Sequence, residues 1–220
     1  MSVKLLVSGE SNSGKTTLTK NLEKALVINH DGKKYPFPVA HATIPTFTDT
    51  KELTDFVTNK VLAYEKKMGE YPTTIVFDSV SRIFDTLYDS CNTRYTGFAI
   101  YSNLDKEIKA FTDYIQNQLI ASDMNVVIIS HAIYDPETAK YQLVGKGSFA
   151  KTGSFLSVVD EAVFIEPKNN KRIIHLRSTK FPARTLQDEL PDSIPVDEFN
   201  LQDHINLLSE RIKSADDFEL

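Results

Sequence analysis

Short apolar runs alternate with amphipathic segments over the first 130 residues, and this pattern predicts the order of the secondary structure. A strand that is covered on both faces has a continuous apolar run, without a polar side. Such runs predict buried strands at 3–8, Ala25–Asn29, Thr73–Ser79 and Met124–His131, and a short strand at Val39–Ile44. Between them, apolar residues at three- and four-residue steps predict helices at 14–24, from about Thr50 to Gly69, from Ser79 or Ser81 through Tyr88, and at Ser102–Ala121.

The alternation of strands and helices predicts a parallel α/β sheet with helices on its faces. After residue 133 the pattern changes. Residues 134–148 are expected to form a hairpin or a loop, and two strands follow at Val158–Ile165 and Arg172–Arg177. We expect these later strands to be antiparallel and to extend one edge of the sheet. The whole chain is therefore predicted to be one domain over 1–220, with a core at about 3–195 and a last helix at about 198–214.

Composition and charge narrow the class of protein. The hydrophobic fraction is 41% and the charged fraction 25%, which is typical of a globular domain. The net charge of −5 does not indicate nucleic-acid binding, although a local basic patch is compatible with this charge. The single cysteine, Cys91, cannot form an internal disulfide, which suits a reducing cytoplasm. No apolar run has the length of a membrane span, and the N-terminus lacks a signal-peptide pattern.

The segment Gly9–Thr16 matches G-x-x-x-x-G-K-[ST], the phosphate-binding P-loop, and lies between a predicted strand and a predicted helix. In this motif glycines allow a tight turn whose backbone N–H groups point at an anion. Lys15 is expected to reach the β- and γ-phosphates, and the Thr16 hydroxyl to bind Mg²⁺. The predicted ATP-binding residues are Gly9, Glu10, Ser11, Asn12, Ser13, Gly14, Lys15, Thr16 and Thr17.

Asp78 ends the apolar run Thr73–Phe77, as an aspartate does in a Walker B strand. Ligands gather at the carboxyl ends of parallel strands, and a carboxylate there can hold the Mg²⁺ that bridges nucleotide phosphates. We therefore predict Asp78 as the second metal-binding residue. The alternative is that Asp78 is the N-cap of the next helix, a position that aspartate favours.

Two segments carry a family resemblance. Gly9–Thr19 resembles the P-loop of RecA-type recombinase ATPases, and Phe77–Val80 resembles the end of their Walker B strand. The chain is shorter than RecA. Over about residues 3–195 it more closely resembles small phage-encoded RecA-like ATP-binding proteins, some of which are single-strand annealing recombinases of the Sak type. This resemblance implies a RecA-like core, single-stranded DNA as a partner, and a homo-oligomer, ring or filament, with ATP at the subunit interfaces. A phage protein of this kind would act in the host cytoplasm.

The resemblance also implies groups that act on the γ-phosphate and on water. The strand that ends at His131 is expected between the P-loop strand and the Walker B strand, with His131 as a phosphate sensor. Alternatively, His131 is a strand-end histidine bonded to a backbone carbonyl. The glutamate that RecA-type enzymes place after the second strand is missing here. Asp31 is the candidate base, with Glu10 as a remote second, or else hydrolysis is slow.

Two basic segments complete the resemblance. The segment 145–153 corresponds to a mobile DNA-binding loop, in which Lys146 and Lys151 would neutralise phosphates and Phe149 would stack on a base. The same composition suits any surface hairpin. Lys180 and Arg184 match late cations that reach the ATP of a neighbouring subunit and would act like arginine fingers. A solvated basic stretch is the alternative.

Three hypotheses of function follow. The first is an ATP-binding, ATP-hydrolysing RecA-like protein that acts on single-stranded DNA in phage recombination. The second is a small-molecule or nucleoside kinase, against which the lack of arginine in residues 134–155 counts mildly. The third is a nucleotide-gated assembly module with little turnover, which the missing glutamate favours.

Overall fold

The computed structural model describes residues 1–147, 154–169 and 171–216, and its strands form one nine-stranded sheet. The sheet order is β3-β2-β4-β5-β1-β7-β8-β9, and β6 pairs with the end of β5. The strands from β3 to β7 along this order are parallel, whereas β6, β8 and β9 are antiparallel to their neighbours. The bounds are β1 Lys4–Gly9, β2 Ala25–Asn29, β3 Ala40–Thr43, β4 Thr74–Asp78, β5 Asn125–Asp135, β6 Lys140–Leu143, β7 Glu161–Lys168, β8 Lys171–His175 and β9 Ser193–Pro195.

Helices cover both faces of the sheet, which explains the continuous apolar runs. The helices are α1 Lys15–Leu18, α2 Thr50–Met68, α3 Val80–Arg94, α4 Phe98–Tyr114 and α5 Leu201–Asp216. One face, with Leu6 and Phe77, packs on α2, α3 and α4, while the opposite face, with Val7, packs on α1 and α5. This confirms the expected α/β class with a mostly parallel sheet and antiparallel strands at one edge.

The strand β7 corrects one part of the predicted topology. We expected both strands after residue 157 to be antiparallel, but β7 runs parallel to β1, with Val163 opposite Val7. The chain reverses twice after β5, once in the β5–β6 hairpin and once between β6 and β7, so that β7 again runs in the direction of β5 and β1. Of the two predicted strands, only β8 follows the antiparallel expectation, and the unpredicted strand β9 is antiparallel to β8.

Two helix predictions were also wrong in their bounds. The first helix, predicted over 14–24, is a single turn that ends at Leu18 and continues as a 3₁₀ turn at Thr19–Asn21. Leu22 is already extended and Lys24 has a φ of 47°, so the chain leaves the helix before β2. The helix α4 begins at Phe98 and not at Ser102, and it continues through a π-helical turn at Ile115–Leu119.

The remaining elements lie close to their predicted places. Residues 134–148 include a hairpin, since β5 extends to Asp135 and pairs with β6. In the proline-containing tail, β9 occupies the edge of the sheet, where proline is tolerated. Within the part of the chain that the structure describes, no helix is both long and apolar enough to span a bilayer.

Candidate functional site

The candidate site lies where the carboxyl ends of β1, β4 and β5 meet. The register places Gly9 beside His131 and Asp78 beside Ile129, so that the P-loop and the Walker B segment lie at the same edge. Between them is a cavity of about 330 Å³, which we call the phosphate cavity. Its lining consists of Asn12, Gly14, Lys15, Thr16, Thr17, Asp31, Lys33, Asp78, Ile129, His131 and Arg172.

Two glycines of the P-loop are required by the geometry. A Cβ on Gly9 would lie 2.6 Å from the Ser13 hydroxyl and 2.8 Å from the Ile165 carbonyl oxygen, which is too close. Gly14 has a φ of 99°, in the left-handed region that side chains rarely adopt. Because α1 has only one turn, an anion here would be held by the N–H groups of the loop more than by a helix dipole.

Lys15 is buried at the floor of this loop, with a relative exposure of 6%. Its ammonium group donates to the carbonyl oxygens of Gly9 at 2.9 Å and Glu10 at 2.6 Å. Burial lowers the pKa of Lys15 to about 8, although the negative charge of Asp78 opposes this shift. An anion in the cavity would stabilise the charged form of Lys15.

Asp78 is buried beside the P-loop, and two hydroxyl groups donate to its Oδ2 atom. Thr16 Oγ1 lies at 2.9 Å and the Tyr35 hydroxyl at 3.2 Å. Burial raises the pKa of Asp78, and the charge of Asp31 adds to the effect, while the hydrogen bond from Thr16 opposes it. The N-cap of α3 is Ser79, so Asp78 does not occupy the capping position of the alternative prediction.

The oxygen atoms of Thr16 and Asp78 are suitable ligands for a magnesium ion. Mg²⁺ prefers oxygen ligands and is commonly held by one or two protein groups, with phosphates and water completing its shell. Among the described residues there is no group of three or more His, Cys, Asp or Glu side chains that could hold a metal alone. The donor set therefore fits an ion that arrives with phosphate.

Asp31 follows β2 and lines the phosphate cavity. Its Oδ2 atom accepts from Lys33 at 2.9 Å, and its Oδ1 atom accepts from the Ser79 hydroxyl at 3.1 Å. Burial acts to raise the pKa of Asp31, but the hydrogen bond and charge of Lys33 and the bond from Ser79 lower it overall. Asp31 is therefore an ionised carboxylate at neutral pH.

His131 lies at the cavity with one ring nitrogen unpaired. Its Nδ1 atom is buried and has no hydrogen-bond partner among the described residues, so this nitrogen does not bond a backbone carbonyl. Burial lowers the pKa of His131, and the charge of Lys15 lowers it further. A neutral histidine with a free nitrogen can bind a phosphate oxygen or a water molecule.

Three further residues reach the site, and sequence reasoning did not assign them. Tyr35 donates to Asp78, Lys33 pairs with Asp31, and Arg172 of β8 lies beside Gly14, with its Nη1 atom 3.1 Å from the position of an added Cβ. In the sequence, Tyr35 directly precedes Pro36–Pro38, a segment whose two prolines exclude a helix and a central strand. This irregular segment was the indication that Tyr35 could reach a site. Arg172 follows the turn after β7, whose parallel direction was not predicted.

The structure does not bring the other predicted residues to the phosphate cavity. Lys180 Nζ lies over the rings of Tyr141 and Phe181, and the Arg184 guanidinium donates to the carbonyl oxygen of Val159. Their predicted role in a neighbouring subunit stays a prediction.

The predicted DNA loop is only partly described. Lys146 Nζ lies 3.2 Å from Asp85 Oδ1 and 5.3 Å from the centre of the Tyr88 ring. Phe149 and Lys151 lie outside the described residues, and a role for this segment stays a prediction.

A larger cavity of about 960 Å³ adjoins the phosphate cavity, and we call it the outer cavity. Asn12, Thr17 and Arg172 border both cavities. The rest of the outer cavity is formed by α1, the β7–β8 turn and the segment from Pro195 to Phe199. The two cavities together could hold a ligand with a phosphate end and a bulkier end.

Comparisons with known proteins agree with this geometry. A family model described as an AAA domain matches residues 1–185. A search of curated proteins gave no match. Because the family match covers most of the chain, including the P-loop and Asp78, the chain belongs to the AAA-domain family of P-loop nucleotide-binding ATPases.

Proposed function

We propose that the protein binds ATP with Mg²⁺ in the two adjoining cavities and hydrolyses it. The observation that carries this proposal is the convergence of Lys15, Thr16 and Asp78 on the phosphate cavity. These are the cation, the hydroxyl and the carboxylate that a P-loop enzyme needs around a nucleotide phosphate. The outer cavity is then the place for the nucleoside.

In this proposal the residues act mainly by positioning and charge neutralisation. Lys15 turns from the Gly9 and Glu10 carbonyls to the β- and γ-phosphates, which compensate its burial. Thr16 and Asp78 would hold Mg²⁺, which would neutralise phosphate charge, and Tyr35 keeps the Asp78 carboxylate in place. Asp31 or His131 orients the attacking water.

The surroundings of Asp31 favour slow hydrolysis of ATP over fast hydrolysis. Its carboxylate has two partners, Lys33 and Ser79, and its lowered pKa makes it a weak proton acceptor. We therefore propose that the protein binds ATP tightly and hydrolyses it slowly. A low steady-state rate of phosphate release, raised by a partner, would agree with this.

The test is the affinity for ATP of the wild type and of Lys15→Ala, measured by titration calorimetry in the presence of Mg²⁺. Loss of the phosphate-binding cation should weaken ATP binding by about a hundredfold or more, because a charge-assisted contact is lost from a buried site. Lys24→Ala is the matched control, since Lys24 is exposed and pairs with Glu70. Equal ATP affinity in Lys15→Ala and the wild type would contradict the proposed site.

We further propose that the nucleotide serves binding of single-stranded DNA by an oligomer, as in phage annealing recombinases. The support is the resemblance of the two nucleotide motifs, together with the exposed cations Lys180 and Arg184. The test is a gel shift with single-stranded oligonucleotides over a range of salt concentrations. Phosphate contacts require an affinity that falls with salt, and no shift at low salt would exclude this role.

Steady-state ATPase rates separate the three hypotheses. Stimulation by single-stranded DNA favours the recombination role, and a near-zero rate that DNA does not change favours the assembly module. Phosphate transfer to a nucleoside or another small acceptor, in place of water, favours the kinase.

A further inference from the structure

Arg172 is a cation beside the P-loop that the nucleotide motifs do not include. It is the second residue of β8 and pairs with Pro167 in the β7–β8 hairpin. Alternation along the strand places it on the same face as Ile174, which packs in the cluster with Leu18 of α1. The hairpin therefore carries the Arg172 side chain toward the P-loop of its own subunit.

The guanidinium group lies close to the P-loop backbone. A Cβ on Gly14 would be 3.1 Å from Arg172 Nη1 and 3.3 Å from Cζ, so the guanidinium group lies directly beside this glycine. Arg172 also lines both the phosphate cavity and the outer cavity. Arg172 therefore lies between the proposed positions of the phosphates and the nucleoside.

Arg172 differs from the other arginines in its partners. Among the described residues, its guanidinium group has no carboxylate within ion-pair distance and no hydrogen bond. Each of the other five has a partner: Asp85 for Arg82, the Thr48 carbonyl for Arg94, Asp192 for Arg177, the Val159 carbonyl for Arg184 and Glu189 for Arg211. A planar guanidinium with unused N–H donors is suited to a phosphate, which it can bind with two parallel hydrogen bonds.

We propose that Arg172 binds the phosphate chain of the nucleotide in cis, as a second cation opposite Lys15. This inference rests on the proposed function, since it takes the ligand to be a nucleoside polyphosphate. Lys15 approaches the phosphates from the floor of the loop, whereas Arg172 approaches from the β7–β8 hairpin. The hairpin would thus be held against the P-loop while nucleotide is bound.

The experiment compares ATP and ADP affinity in Arg172→Ala, Arg172→Lys and the wild type by titration calorimetry with Mg²⁺. We expect Arg172→Ala to weaken ATP binding about tenfold to a hundredfold, which is the range for a charge-assisted hydrogen bond. Arg172→Lys should recover part of the loss, because it restores the charge without the paired donors. A loss shared by ADP places the contact at the α- or β-phosphate, and a loss confined to ATP places it at the γ-phosphate.

Arg211→Ala is the matched control, because it removes the same charge from an exposed position that pairs with Asp188 and Glu189. Thermal unfolding without nucleotide should be alike in both alanine variants, since Arg172 is exposed. If Arg172→Ala binds ATP as Arg211→Ala does while Lys15→Ala has lost binding, the role of Arg172 is overturned and the proposed function stands. If the wild type binds no nucleotide, both are overturned.

Discussion

Buried charged groups occur at both ends of the parallel strands, and the two ends differ in how completely their polar groups are hydrogen-bonded. At the carboxyl ends, the phosphate cavity contains Lys15 and Asp78. At the amino end of β7, Glu161 is fully buried and lies beside His204 of α5. We call the second group, formed by Glu161, Thr185, Gln187 and His204, the amino-end network.

The amino-end network is completely paired around its carboxylate. Glu161 accepts from His204 Nε2 at 2.8 Å, from Thr185 Oγ1 at 2.8 Å and from the Leu186 backbone N–H at 2.7 Å. The side-chain amide of Gln187 adds longer contacts at 3.3 and 3.4 Å. These bonds join β7, the segment before β9 and the helix α5.

The phosphate cavity leaves polar groups incompletely paired. His131 Nδ1 is buried without a partner among the described residues, as is Ser13 Oγ in the adjoining P-loop, and burial lowers the pKa of Lys15. Unpaired buried polar groups cost stability unless a ligand binds them. The contrast indicates that the amino-end network stabilises the fold, whereas the phosphate cavity is arranged for a ligand.

The largest expected effect on stability is at the amino-end network. Glu161→Ala should lower the free energy of unfolding by about 3–5 kcal/mol, because it leaves the buried groups that donate to this carboxylate without an acceptor. ATP affinity per folded molecule should not change. Urea denaturation followed by far-UV circular dichroism measures the first quantity, and calorimetry measures the second.

The control for that variant is Glu166→Ala, which removes the same charge from a half-buried pair with His175. We expect a loss of about 1 kcal/mol there, since water can replace the lost partner. Equal losses in the two variants would contradict the special role of the amino-end network.

The second prediction is that a substitution in the phosphate cavity changes ATP binding strongly and stability little. Lys15→Met should change the free energy of unfolding by no more than about 1 kcal/mol, since an apolar side chain replaces a cation that burial disfavours. ATP binding should nevertheless be lost. Denaturation without nucleotide and calorimetry with ATP measure the two effects. A loss of stability as large as that of Glu161→Ala would remove the distinction between the two ends.

The third prediction concerns acid pH. Burial acts to raise the pKa of Glu161, but the hydrogen bond and charge of His204 lower it below the ordinary value of 4.5. The ionised carboxylate therefore contributes stability above pH 4.5, and this contribution is lost as the pH falls through the lower pKa of the folded state. In Glu161→Gln the free energy of unfolding should depend less steeply on pH in this range. An unchanged pH dependence would mean that Glu161 does not titrate in this way.

The smallest expected effect is a proton linked to nucleotide binding. With a pKa of about 8, Lys15 is half deprotonated at pH 8, and an adjacent phosphate should return it to the charged form. ATP binding at pH 8 should therefore take up about half a proton. Calorimetry in buffers with different ionisation enthalpies measures this uptake. Lys15→Arg should lack the pH 8 uptake if it binds, because arginine does not deprotonate.

Local patterns predicted the parts of the site that depend on neighbouring residues. The P-loop could be identified because its glycines and Lys15 determine a backbone conformation within eight positions. Asp78 could be placed at the carboxyl end of a strand because the apolar run ends there. The first helix was predicted too long, because the sequence 14–24 does not show that Leu22 and Lys24 leave the helical conformation.

Contacts between distant segments could not be predicted in the same way. Tyr35 reaches Asp78 from an irregular segment, and Arg172 reaches Gly14 because β7 runs parallel to β1 and turns into β8 beside the P-loop. Both contacts depend on strand order and direction, which a periodic pattern does not encode. The predicted roles of Asp31, His131, Lys180 and Arg184 depend on such contacts too, and they stay predictions.

The sequence by itself determined the α/β class, the P-loop and the strand that ends in Asp78, because short-range periodicity and turn chemistry act on adjacent residues. The tertiary structure decided the direction of β7, the placement of Arg172 and Tyr35, and the pairing of Glu161 with His204. The physical reason is that buried charges are stable only with partners, and the folded sheet selects those partners from remote parts of the chain. The same folding step decides which buried groups are satisfied within the protein and which are left for a ligand.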